Sequence, residues 1–79
     1  MIALIQSSTL SHRDRILIAL GALVQKGSAG QLRSHLVFAR DQGFSECEIN
    51  EAIMQLVIHS ELEQVMSAIS IARDVFQNS

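Results

Sequence analysis

The chain has 79 residues, 48% of them hydrophobic and none of them proline, which limits it to one domain (1–79) and excludes a disordered or linker-like polymer. Six Lys and Arg against eight Asp and Glu give a formal net charge of −2, and the aromatic residues are three Phe. No basic stripe for phosphates and no stacking platform for bases follows from that set, so nucleic acid is not an expected partner. The single cysteine makes no internal disulfide and no Cys-based zinc site. A chain of this size buries only about 60% of the surface that its unfolded form exposes. Without a disulfide or metal to help, self-association is the expected remedy.

The opening Met1-Ile2-Ala3-Leu4-Ile5 is apolar. No positive residue precedes it and no small-residue cleavage pattern closes it, so no signal peptide is expected. The longest apolar run, from Ile16 to Val24, falls far short of the ~20 residues that a helical membrane span needs. The expected location is the cytoplasm, with no membrane partner.

Helix signals follow in order. Ser11 with Asp14 forms a capping-box-like start, and a helix is expected over 12–26 with Gly27 as its C-cap. A second helix is expected over 29–42. Gly43 ends it, and Phe44 is placed to fold back as the apolar contact after the cap. Ser45 with Glu48 opens a third helix over 46–59, and Ser60 with Glu63 opens a fourth over 61–77. No Gly or Pro enforces a break at Ser60, so the last two helices are expected to be fused or only kinked. Strand alternation is absent over any useful length, and the fold class is an all-α bundle of about four helices.

Two helices carry information in their faces. Residues 16–24 hold no polar side chain, and a helix that is apolar all round is buried all round. Three short helices cannot easily enclose it, so a second copy of the chain is the expected cover. In the third helix Glu48, Glu51, Gln55 and His59 form one narrow polar stripe on an otherwise apolar rod. The stripe reads either as the solvated face of an amphipathic helix or as the polar wall of a pocket.

Leu32-Arg33-Ser34-His35-Leu36, followed by Ala39, Gly43, Glu48-Ile49, Glu51 and Gln55, resembles the core of the carboxymuconolactone decarboxylase family, within the alkyl hydroperoxidase D-like superfamily. The preceding Arg13-Asp14-Arg15 and the trailing Ala68 and 71–76 segment extend the likeness over residues 10–76. The resemblance implies an alkyl hydroperoxidase D-like helical fold, assembled as a trimer or hexamer with sites near subunit interfaces. It also implies one of two chemistries. One is cofactor-free decarboxylation of a lactone, and the other is peroxide reduction through a C-x-x-C-x-x-x-H motif. With His35 as the motif histidine, Ser28 and Gln31 stand where the cysteines belong, so the chain resembles a short member without the thiol pair. Cys47 lies in an acidic helix start between Glu46 and Glu48, which opposes thiolate formation and marks it as inert.

Decarboxylation needs a hold on the carboxylate and a proton donor for the carbon left behind. His35 is the candidate acid–base group, with Glu51 to orient it. Arg15 or Arg33 could hold a carboxylate, and Gln55 and His59 complete the candidate binding set. His35, His59 and Glu51 lack metal-ligand spacing, so neither metal nor cofactor is expected. One departure is the segment Ser60-Glu61-Leu62-Glu63, where the family usually carries a Gly-x-Pro turn. The expected function is a carboxymuconolactone decarboxylase-like lyase acting on a small acidic metabolite or lactone. The alternative is a non-catalytic oligomeric module on the same scaffold.

Overall fold

The computed structural model describes residues 10–58 and 60–78. Among them are four α-helices and no strand: α1 (His12–Lys26), α2 (Ala29–Asp41), α3 (Glu46–Met54) and α4 (Leu62–Gln77), with a 3-10 turn, Gln55–Ile58, between α3 and α4. The α4 helix packs against all three others.

The caps explain the boundaries. Ser11 Oγ accepts the Asp14 N–H at 3.0 Å, and Asp14 Oδ2 accepts the Ser11 N–H at 3.3 Å. Gly27, at φ 74°, ends α1 in the left-handed conformation that favours glycine. The α2 helix closes in a Schellman motif. The Gly43 N–H donates to the Arg40 carbonyl, the Phe44 N–H donates to the Ala39 carbonyl, and Gly43 sits at φ 99°. Phe44 then folds back into the core, as expected. Ser45 and Glu48 form a reciprocal capping box at the start of α3.

The 46–59 segment departs from expectation. Its α-helix stops at Met54, and four residues tighten into the 3-10 turn. The last two helices are not fused: Glu61 is extended at φ −63°, ψ 141°, and α4 starts at Leu62. The break has a tertiary cause. Gln64 accepts the Glu61 N–H through Oε1 at 3.3 Å and donates from Nε2 to the Gln25 carbonyl at the end of α1 at 3.0 Å. One side chain thus caps the start of α4 and ties it to α1.

The core is continuous. Ile16, Leu20 and Val24 of α1 meet Leu32, Leu36 and Ala39 of α2, Ile49 and Ile53 of α3, and Val65, Ala68, Ala72 and Val75 of α4. No buried residue among those described is polar or charged. The chain covers more of α1 than the apolar run suggested. Leu17 and Leu23 are partly buried against the core, and Ile18 alone of the large residues in this run is exposed. The larger exposed apolar surface lies on the α3–α4 hairpin, at Met54, Ile58, Leu62 and Met66.

Candidate functional site

The polar stripe on α3 faces a cleft of about 400 Å³ between α1 and α3. Glu48, Glu51 and Gln55 form one wall, Ser11, Arg13 and Asp14 contribute from the α1 side, and Leu17, Phe44 and Ala52 supply the apolar surface. Helical register explains the arrangement: Glu48 and Glu51 are at i and i+3 on α3 and Gln55, its helical C-cap, follows at i+7, while Arg13 and Leu17 are four apart on α1.

Arg13 is held from two directions. Its guanidinium stacks 4.0 Å from the Phe44 ring centroid, and its Nη2 donates to Glu48 Oε2 at 2.5 Å. Glu48 is therefore shared between Arg13 and the α3 cap. The Ser45 backbone N–H is the main cause that holds its carboxyl below the ordinary value of 4.5; desolvation opposes it, and the hydrogen bond and charge of Arg13 add to the lowering. Asp14 is occupied by the α1 cap. Glu51 and the Gln55 side chain make no hydrogen bond to another described residue, so they are the cleft's uncommitted polar groups. Among the described lining residues, three are carboxylates and one is a guanidinium, which is already paired with Glu48.

The other candidate residues lie elsewhere. The half-buried His35 of α2 contacts the Ile16 backbone carbonyl through Nε2 at 2.9 Å. A carbonyl only accepts, so Nε2 carries the proton and donates it, joining α2 to α1. His35 is not among the residues lining the cleft and so does not meet Glu51 there. Arg33 pairs with Asp74, joining α2 to α4. Arg15 is exposed on α1, outside the cleft lining. His59 lies outside the described residues. Arg13 was not a sequence candidate. The signal that could have found it is its register with Leu17 on the face of α1 that meets α3.

Among the described residues, no group of three or more His, Cys, Asp or Glu is placed to hold a metal ion, and no helix is long and apolar enough to cross a membrane.

An all-α bundle with a polar-walled cleft between its first and third helices is the class that this geometry defines. The chain belongs to the carboxymuconolactone decarboxylase family, whose family model matches residues 2–74. No curated protein and no solved structure matches the chain.

Proposed function

We propose that the chain is a carboxymuconolactone decarboxylase-like protein that takes a small lactone or carboxylic acid into the α1–α3 cleft and acts on it without a cofactor. It does so as a subunit of a cytoplasmic homo-oligomer, a trimer or hexamer. The observation that carries this reading is the pair of uncommitted groups, the Glu51 carboxyl and the Gln55 amide, in the cleft that also holds Arg13.

Loss of CO2 leaves an electron pair on carbon, and that carbon must then take up a proton. Glu51 is the group placed to pass that carbon its proton. The Gln55 amide N–H steadies the oxygen onto which the electron pair is delocalised. Arg13, kept flat by Phe44, exchanges Glu48 for the ligand carboxylate. His35 and Arg33 serve as positioning residues, because their polar atoms hold α2 to α1 and α4. Arg15 and His59 contribute only where the assembly brings them to a cleft.

A second reading, a non-catalytic binding module, is favoured by the same engagement of His35 and Arg33. Titration with carboxymuconolactone separates the two readings, with amide chemical shifts and CO2 release followed together. Shifts at 48–55 with CO2 release that Glu51→Gln abolishes support catalysis. The same shifts without CO2 release support the module. No shift at 48–55 rejects this cleft as the site.

A further inference from the structure

Both capping-box carboxylates face the same cleft. Asp14 closes the start of α1, where its Oδ2 accepts the Ser11 N–H at 3.3 Å, and Glu48 closes the start of α3, where its Oε1 accepts the Ser45 N–H at 2.9 Å. Each is anchored from the backbone, and neither swings out of the cleft without opening a helix start. The same boxes engage donors that would otherwise draw an anion to these helix starts, the Asp14 N–H on Ser11 Oγ and the Glu48 N–H on Ser45 Oγ. Glu51, three residues beyond Glu48, adds a third carboxylate. Against these three stands Arg13, the one guanidinium among the described lining residues, held on the Phe44 ring and on Glu48 Oε2.

We infer that the ligand of this cleft carries a single carboxylate on an otherwise uncharged body, and that Glu51 is the residue that selects against a second one. This rests on the proposed function above and narrows its substrate class. The ligand's one carboxylate takes Arg13 from Glu48. Glu48 then stays in place, because its other oxygen remains on the Ser45 N–H, and its charge is no longer offset. A second carboxylate would meet Asp14, Glu48 and the uncommitted Glu51, with no further guanidinium among the described lining residues. Distance gives no relief. A cleft of about 400 Å³ is roughly 7 Å across, inside the Debye length of about 10 Å in 0.1 M salt, so each of these charges acts on both ends of the ligand. An uncharged body suits the rest of the lining: Leu17 and Ala52 are apolar, and the Gln55 amide donates to an ester or lactone carbonyl without adding charge. The repulsion lowers the affinity of a dicarboxylate and does not bar its entry.

The test is titration of the full chain with adipate, its monomethyl ester and its dimethyl ester, which share one carbon skeleton and carry two, one and no carboxylates. Amide chemical shifts at 48–55 are followed at neutral pH and low salt. The monomethyl ester is expected to bind about tenfold more tightly than adipate, and more tightly than the dimethyl ester. Added salt should narrow the gap between monoester and diacid, because the repulsion is screened. Glu51→Gln, at an exposed position that tolerates the change, should narrow it by about threefold or more. Adipate binding as tightly as the monomethyl ester overturns the single-charge rule and leaves the cleft as a carboxylate site. A gap unchanged in Glu51→Gln overturns the role given to Glu51. A dimethyl ester that binds like the monomethyl ester overturns the exchange at Arg13. No shift at 48–55 with any of the three rejects the cleft itself, and the proposed function with it.

Discussion

Replacing His35 with alanine distinguishes a helix tie from a catalytic base. The Nε2–H donates to the Ile16 carbonyl at 2.9 Å, and the ring packs 6.2 Å from the centroid of Phe38. Ile16 lies inside α1, where the helix's own ladder also uses its carbonyl, so removing the imidazole leaves no orphaned acceptor. The loss is then about 1 kcal/mol for the bond and about 0.5 kcal/mol for the ring contact. In a domain of this size each kcal/mol lowers Tm by about 4–8 °C, so His35→Ala is expected to melt roughly 6–12 °C below wild type. His35→Gln keeps an N–H donor and should recover part of the loss. Far-UV circular dichroism melts at matched protein concentration measure this, the matching being required because self-association raises Tm. A His35→Ala protein that melts with the wild type and has lost CO2 release would refute the structural assignment and return the histidine to the chemistry.

Leu20 is 1% exposed at the centre of the core, and Leu20→Ala is expected to cost about 2–5 kcal/mol, a large part of the stability of so short a chain, as read by urea denaturation. Glu48 gives a pH dependence of definite sign. Its folded value is depressed, so its contribution is complete above about 4.5 and is lost as pH falls through the folded value; Glu48→Gln should flatten the acid limb of a Tm-against-pH profile. Thiol-dependent peroxide reduction is expected to be absent, because a single cysteine, Cys47, cannot supply a thiol pair. A peroxidase rate that disappears in Cys47→Ser would contradict this.

Helix starts and stops that rest on local chemistry were legible in the chain. The Ser11–Asp14 and Ser45–Glu48 boxes and the Gly27 and Gly43 caps use side chains within a few residues of the backbone groups they satisfy, so sequence spacing suffices to find them. The break before α4 was not legible in that way. Glu61 is extended because Gln64 bonds both to it and to the Gln25 carbonyl, and the second of those bonds crosses 39 positions of sequence. Local propensity at 60–63 permits a continuous helix; the contact with the end of α1 overrides it.

The same distinction runs through the cleft. Glu48, Glu51 and Gln55 were visible together because a single helix sets their spacing, and they line one wall. Their opposite wall depends on which residue of α1 meets α3, and there the charged triplet Arg13-Asp14-Arg15 offers three neighbours pointing in three directions. Phe44 selects among them. The Schellman turn at Gly43 drives its ring into the core, and the ring holds the Arg13 guanidinium beside Glu48. A backbone cap at the end of α2 thus sets the position of the Arg13 guanidinium, through an aromatic ring that no pairing rule along α1 takes into account. Losing that cap would release Arg13 as well as the end of α2. Gly43→Ala, strained at φ 99°, is accordingly expected to weaken ligand binding in the cleft along with stability, and chemical shifts at 48–55 would report the first separately from the second.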